Sequence, residues 1–251
     1  MFRGLDDRFS RSVALLGAEA MKRLADARVL VVGVGGVGSW CAEALVRTGL
    51  GHITLVDDDV VAESNLNRQC PAMATTVGRP KVDAMEARLC AINPDCEIVA
   101  LKKRFTSTVN LNLQPQPSLI VDAIDSVDCK AELILGATEA GVPIVSSMGA
   151  ALRLDPTEVK VTRFEKVEGD GLARALRQRF KKLGRFPRAK FNCVWSTETP
   201  VGRSVPDRRG AQGTARPTEG EIKGSLMPVT ATFGMCLASE AIKLLMKGEM
   251  K

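Results

Sequence analysis

Side chains that could bind a nucleotide are concentrated between residues 57 and 81. Asp57 follows an apolar run, and Asn65, Arg68 and Lys81 come after it. A carboxylate at that place can accept hydrogen bonds from ribose hydroxyls, and the cations beyond it can stabilise charge that builds up on a phosphate. A nicotinamide enzyme has no evident use for two cations there, so the pattern favours ATP cleavage.

A glycine fingerprint precedes this stretch. Gly33, Gly35 and Gly38 satisfy the pattern GxGxxG between a predicted strand and a predicted helix, and Gly36 adds further room. Glycines there let bare backbone and a helix N-terminus approach phosphate groups. The alternative is that they only allow tight packing of strand against helix. Asp57 lies 24 residues after Gly33, the usual spacing for the ribose-binding acid.

A second acidic segment, VDAIDS, ends another predicted strand and contains Asp122 and Asp125. Open α/β sheets bind ligands at the carboxyl ends of their strands, so we expect Asp125 to hold the Mg²⁺ that accompanies ATP. Capping of the next helix is the alternative for Asp125, and Asp122 ranks lower as a ligand. The predicted nucleotide-binding residues are Gly33, Gly35, Gly36, Gly38, Asp57, Asp59, Asn65, Arg68, Gln69, Lys81 and Asp125.

Composition limits the possible functions. The 251 residues contain one histidine and seven cysteines without a CxxC pair, so imidazole-dependent catalysis, a disulfide framework and a four-cysteine zinc site are not indicated. Reduced cytoplasm is the expected compartment. The net charge is +6, and residues 160–190 hold eleven Lys or Arg against three acids. This clustering fits an anionic partner such as RNA, although a merely solvated face is the alternative because aromatic residues are few.

Alternating strand and helix patterns in the first half predict βαβ units. Strands are expected at 28–32, 53–56, 97–101, 119–123 and 144–147, and helices at 37–48, 81–92 and 130–140. The predicted fold class is α/β, a Rossmann-like doubly wound and mostly parallel sheet that an antiparallel second half extends. We expect one domain over residues 1–251, with an ATP-binding half (1–150) and a substrate-facing, dimerising half (151–251).

The second half carries a different pattern. Residues 151–164 suggest an antiparallel hairpin, 191–196 a strand, and 199–224 a mobile loop rich in Gly, Pro and Arg. A basic helix lies between them, and its cations Arg174, Arg177, Lys181 and Lys182 are the candidate RNA contacts. The apolar run 227–246 is interrupted by Glu240 and Lys243, which favours a buried or partner-facing helix over membrane contact.

Several segments together resemble one family, the ubiquitin-activating-enzyme-like adenylyltransferases that include the activators of sulfur carriers. They are DRFSRSVALLG, RVLVVGVGGVGSW, ITLVDDDVVAESNLNRQ, VGRPK, AINP and VDAIDS, and they span roughly the first 150 residues. The resemblance implies ribose binding by Asp57, phosphate contacts from Asn65, Arg68 and Lys81, and Mg²⁺ at Asp125. It also implies a homodimer in which Arg11 reaches the partner subunit's site. The implied catalytic residues are Arg11, Arg68, Lys81 and Asp125.

Within the family the chain looks most like the tRNA threonylcarbamoyladenosine dehydratases, through NCVWSTE and GSLMPVTATFG as well as the lack of the zinc-binding CxxC pairs that sulfur-carrier activators usually have. The implied reaction is an ATP-dependent cyclisation on tRNA. The alternatives are a sulfur-carrier adenylyltransferase, a nicotinamide-dependent oxidoreductase and an RNA-binding module. Cys193 is either a reactive thiol or a small buried residue. Whether Na⁺ or K⁺ binds in the second half, and whether a cysteine desulfurase or sulfur acceptor acts as a partner, stays open.

Overall fold

The computed structural model describes residues 7–105, 115–201, 205–206 and 221–246. The helices are α1 (Ser10–Leu16), α2 (Ala18–Asp26), α3 (Gly38–Thr48), α4 (Lys81–Ile92), α5 (Val127–Glu139), α6 (Gly171–Leu183) and α7 (Met227–Met246). The strands are β1 (Arg28–Val32), β2 (His52–Val56), β3 (Glu97–Leu101), β4 (Leu119–Asp122), β5 (Ile144–Ser147), β6 (Val159–Arg163), β7 (Asn192–Ser196), β8 (Val205–Pro206) and β9 (Glu221–Ile222).

Seven strands form one sheet in the order β3-β2-β1-β4-β5-β7-β6. All neighbours are parallel except β6, which runs antiparallel to β7. The strand order reverses between β1 and β4, and in open α/β sheets ligands bind at such a point, beyond the carboxyl ends of the strands. This arrangement confirms the predicted α/β class, with a mostly parallel sheet and an antiparallel edge.

Alternate residues of β1 divide the core into two layers. Val29 and Val31 belong to the apolar cluster that contains α3, α4 and α7. Leu30 and Val32 belong to the cluster that contains α5 and α6. Because successive side chains of a strand point to opposite faces, the two groups of helices cover opposite faces of the sheet.

Helix α7 packs along α3 over one apolar face. A Cβ added at Gly234 would lie 2.6 Å from the Val37 carbonyl oxygen, so only glycine permits this approach of the two helices. The helix is also long and apolar enough to cross a membrane by length and hydropathy alone. Since Val229, Phe233 and Leu237 are buried against the core, we retain the interpretation as a packed helix.

The predicted hairpin at residues 151–164 is wrong. Only its second half forms a strand, β6, and the partner of β6 is β7. Leu152 has φ of 60°, outside the strand region, and its peptide groups pair elsewhere: its N–H donates to the Gly224 carbonyl, and its carbonyl accepts from the Val201 N–H. The Glu198 carboxylate then accepts the N–H groups of Leu154 and Asp155. The alternation of apolar and polar residues was correct for β6 alone.

Most of the expected mobile loop at 199–224 lies outside the described residues. Its two described ends form β8 and β9, which pair antiparallel. Helix α5 begins at Val127, three residues before its predicted start. His52 bonds Glu97 at 2.8 Å at the amino-terminal edge of the sheet, away from the carboxyl ends of the strands.

Candidate active site

The glycines of the fingerprint have two different jobs. Gly33 has φ of 93°, and a Cβ there would lie 2.6 Å from the Ala123 carbonyl oxygen; at Gly38 it would lie 1.9 Å from the Gly33 carbonyl oxygen. These two positions therefore allow the strand, the loop and α3 to pack. A Cβ at Gly35 would meet only Gln69, at 3.9 Å, so the backbone of the loop is open on this side. An anion can approach it at the N-terminus of α3.

Asp57 is fixed beside this loop at the end of β2. Its Oδ2 accepts a hydrogen bond from Val34 N at 2.7 Å, and its Oδ1 accepts one from Asp59 N at 2.9 Å. Burial raises the pKa of Asp57, and the charge of Lys81 and the two backbone donors only partly oppose that effect. The carboxylate is thus oriented at the carboxyl edge, one strand from the glycine loop, as ribose binding requires.

Lys81 is a buried cation at the first residue of α4. Only 6% of it is exposed, and its Nζ lies 2.7 Å from Asp59 Oδ2. Its backbone N–H also donates to the Asp59 carbonyl. A cation at a helix N-terminus faces the positive end of the helix dipole, so helix stability does not explain this placement. The ion pair with Asp59 offsets this unfavourable placement.

The loop between β2 and α4 presents Arg68 and Gln69 to the glycines. Asn65 closes a short helical turn by accepting from Ala62 N at 3.0 Å. Arg68 donates to the Ser64 carbonyl, and Trp40 Nε1 donates to the Arg68 carbonyl at 2.9 Å. Burial lowers the pKa of Arg68. Gln69 is buried, and its Oε1 has no hydrogen-bond partner among the described residues, so the amide is free to bind a ligand near Gly35.

Asp122 and Asp125 have different environments. Asp122 is fully buried; its Oδ2 lies 2.8 Å from Lys130 Nζ and 2.6 Å from Ser146 Oγ. Lys130 also donates to the Ile124 carbonyl at 2.9 Å, and Ile124 N donates to Asp122. These contacts hold the loop that presents Asp125, whose carboxylate is exposed. Asp122 therefore supports the site, whereas Asp125 can reach a ligand.

Comparison with known proteins gives a consistent result. The ThiF family model matches residues 9–251. The chain belongs to the ThiF family.

Relatives within the ThiF family indicate the branch. The chain is 39% identical to a tRNA threonylcarbamoyladenosine dehydratase of Escherichia coli (strain K12), over 95% of this chain and 93% of that protein. A crystal structure of the E. coli enzyme in complex with ATP superposes with a TM-score of 0.83 at 38% identity, covering 96% and 94% of the two chains. A molybdopterin-synthase adenylyltransferase of Salmonella typhimurium is 38% identical over 69% of this chain and 68% of its own.

Trp40 and Lys130 are the residues of this ThiF-family site that sequence reasoning missed. Trp40 follows the glycine fingerprint directly, and Lys130 is a lone cation in the apolar pattern of α5. Both signals were visible. Their partners, Arg68 and Asp122, are distant in the chain or in another element, so the contacts could not be inferred.

Arg11 is not brought to the nucleotide residues by the fold of one subunit. It lies exposed on α1, a helix without a buried residue, and no described residue pairs with its guanidinium. A helix of seven residues is not stable in isolation. Leu15 on the same helix is 83% exposed. In the described part of the chain, the outer face of α1, with Arg11 and Leu15, is therefore exposed.

Cys193 lies in β7 with 1% exposure. Burial raises the pKa of its thiol to about 12. A thiol of this kind is almost never ionised near neutral pH, and the thiolate is the nucleophilic form. The geometry favours the interpretation of Cys193 as a small buried residue.

The basic helix α6 uses some of its cations internally. Arg177 donates to the carbonyls of Phe164 and Val167 at 2.8 and 2.7 Å and lies over the Phe164 ring. It stabilises the fold instead of facing an RNA. Arg174, Lys181 and Lys182 are exposed and stay candidate RNA contacts.

Proposed function

We propose that this protein is an ATP-dependent tRNA threonylcarbamoyladenosine dehydratase. The observation that carries this assignment is the similarity to the E. coli dehydratase over 95% of the chain, which includes the second half. The arrangement of Asp57, Lys81 and the glycine loop supports it, because it suits the binding of a nucleoside triphosphate. Structures of that relative with ATP and with AMP match the substrate and a final product of a reaction that passes through an adenylate.

The reaction begins at the carboxylate of the threonylcarbamoyl group. One carboxylate oxygen attacks the α-phosphorus of ATP, and the bond to the pyrophosphate breaks. The carbamoyl group then attacks the activated acyl carbon, AMP leaves, and the nucleoside has lost one water. Ring closure within one molecule needs no enzyme nucleophile, which agrees with the burial of Cys193.

The side chains of the site would bind ATP and stabilise the charge that develops on its phosphates. Asp57 would bind the ribose, and the glycine loop with Asn65 and Gln69 would hold the phosphates. Arg68 and Lys81 would stabilise the charge on the departing pyrophosphate. Asp59 contacts Lys81 at 2.7 Å and so keeps its ammonium oriented before ATP arrives.

The residues present fit Mg²⁺. The exposed Asp125 carboxylate lies at the carboxyl edge, and Mg²⁺ prefers one or two carboxylate oxygens together with phosphates and water. When bound, the ion would neutralise charge on the phosphates. Whether Na⁺ or K⁺ is also required is a separate part of the proposal, which turnover in NaCl, KCl and choline chloride would decide.

A homodimer would complete the site. Helix α1 carries Arg11 and leaves Leu15 exposed, so packing of α1 on a second subunit would bury the leucine and bring the arginine to the partner's nucleotide. The mass of the protein in solution, measured by light scattering with and without Arg11→Ala, separates assembly from catalysis. We expect a dimer in both cases and loss of turnover only in the variant.

The acceptor distinguishes this proposal from the runner-up, a sulfur-carrier adenylyltransferase. The molybdopterin relative matches 69% of the chain, and the sequence lacks CxxC pairs. A cysteine desulfurase or sulfur-acceptor system as a partner is a separate part of the proposal, which co-purification of the two proteins would test. Cytoplasmic localisation is part of the proposal, since tRNA is the substrate and the seven cysteines form no disulfide.

The deciding experiment offers both acceptors to the purified protein. ATP, Mg²⁺ and either threonylcarbamoyladenosine-containing tRNA or a carrier protein are supplied, and AMP, pyrophosphate and the nucleoside masses are followed. We expect AMP release that equals the loss of one water from the nucleoside. AMP release with the carrier and an unchanged tRNA mass would refute the assignment.

A matched pair of variants tests the metal residue. Asp125→Asn should abolish AMP release, while Asp128→Asn, three residues further on and also exposed, should leave it within about twofold. Equal turnover in both variants would remove Asp125 from the site.

A further inference from the structure

Three adjacent cations, Lys102, Lys103 and Arg104, follow β3 directly. All three are exposed, and no carboxylate among the described residues forms an ion pair with them. The carboxyl end of β3 adjoins that of β2, because Asp57 N donates to the Leu101 carbonyl at 3.3 Å. The triplet therefore begins beside the residue that would bind the ribose of ATP.

The first turn of α5 links this triplet to the basic helix α6. The Arg104 guanidinium lies close to the Cys129 thiol on one side of the turn. On the other side, Arg179 of α6 pairs with Asp128 at 2.9 Å. Asp128 and Cys129 are consecutive residues, so the triplet and α6 lie on either side of one helical turn. Asp125 comes immediately before that turn.

The carboxylates of Asp58 and Asp59 attract Arg104 without forming an ion pair with it. The three neighbouring like charges repel one another, which disfavours the folded state. A row of three cations is therefore better explained by an anionic ligand than by packing. ATP alone would engage at most a part of a surface that continues from the nucleotide site towards α6. A polyanion that reaches both places is an RNA backbone.

We propose that Lys102, Lys103 and Arg104 form a phosphate-binding strip that holds the tRNA backbone next to the modified nucleoside. The strip extends the basic surface of α6 across the first turn of α5 to the edge of the nucleotide site. It rests on the proposed function for the identity of the RNA. Its cations contact phosphates and so contribute affinity without reading sequence.

The test replaces all three residues with glutamine and measures tRNA binding against salt concentration. Each lost phosphate contact lowers the slope of log K against log salt by about 0.7 to 0.9, so three contacts lower it by about 2 to 3. Near physiological salt the affinity should fall between about tenfold and a hundredfold. The binding of ATP without tRNA should be unchanged.

A control variant removes the same charge from the opposite face of the sheet. Lys22, Arg23 and Lys243 lie exposed on α2 and α7, and their replacement with glutamine should leave the salt slope as it is in the natural protein. The proposed strip is wrong if the triplet variant keeps the salt slope of the natural protein. It is also wrong if the control variant lowers that slope as much as the triplet variant does. A loss of ATP affinity equal to the loss of tRNA affinity would assign the triplet to the nucleotide and overturn it as well.

Binding and turnover keep the two proposals separate. If the natural protein binds tRNA with the expected slope but releases no AMP with it, the dehydratase assignment fails and the strip stands. If turnover is present and the triplet variant binds tRNA normally, the strip fails and the assignment stands.

Discussion

Replacement of Lys130 by methionine should destabilise the protein by about 3–5 kcal/mol. Lys130 and Asp122 are both fully buried, with Nζ and Oδ2 2.8 Å apart. Removal of the cation leaves a carboxylate with Ser146 Oγ and Ile124 N as its only donors among the described residues, so its desolvation is no longer compensated. Because a mesophilic domain is typically stable by about 5–15 kcal/mol, a large share of the stability would be lost.

The double variant Asp122→Asn/Lys130→Met provides the comparison. It buries no net charge, and the asparagine can keep a contact to Ile124 N, so it should be more stable than Lys130→Met by about 2 kcal/mol. The free energy of unfolding of each variant is measured by urea unfolding followed by circular dichroism, with one common dependence on urea concentration for all variants. The reasoning is refuted if Lys130→Met costs less than about 1 kcal/mol, or if the double variant is the least stable.

Three further outcomes test the packing of the site. Burial alone would raise the pKa of Glu43, but hydrogen bonds lower it to about 2, and the bond from Arg88 has the largest effect. The stability that this carboxylate contributes is therefore present above pH 4.5 and is lost as the pH falls towards 2. Glu43→Gln should therefore cost roughly 2 kcal/mol at pH 7 after allowance for solvent screening, and less at pH 3, as judged from unfolding curves at both pH values. Gly78→Ala should lower the free energy of unfolding by about 1 kcal/mol, because φ is 86° there but no atom lies near the added Cβ. At Gly33 φ is similar, and the added Cβ would also lie 2.6 Å from the Ala123 carbonyl oxygen. Gly33→Ala should therefore cost at least twice as much and prevent ATP binding in a fluorescent-nucleotide assay. Cys193→Ala should keep turnover within about threefold; a loss of a hundredfold in a folded variant would restore a chemical role for the thiol.

Local spacing was sufficient to place the glycine loop and Asp57 in the fold. Gly33, Gly38 and Asp57 lie where the pattern placed them, because a strand, a tight turn and a helix N-terminus are determined by neighbouring residues. The parallel register then aligns the ends of β1, β2 and β4 without any further signal from the sequence. The same reasoning predicted that Asp125 follows the carboxyl end of β4, as it does.

Contacts between segments that are distant in the chain could not be predicted from the sequence. The choice of β7 as the partner of β6 depends on strands that are separated by α6, and alternation within residues 151–164 cannot reveal it. Arg177 has the composition of an RNA contact but is used by the carbonyls of Phe164 and Val167. A charge pattern alone does not distinguish a cation that faces solvent from one that binds the backbone.

Leu152 holds two distant segments of the chain together. Its N–H donates to the Gly224 carbonyl and its carbonyl accepts from the Val201 N–H, so both ends of the intervening stretch are held by a single residue. Loop closure then depends only weakly on the length between them, by about 0.6 kcal/mol for each doubling. The stretch between Val201 and Gly224 can therefore change in length or sequence during evolution while the register of the sheet is kept.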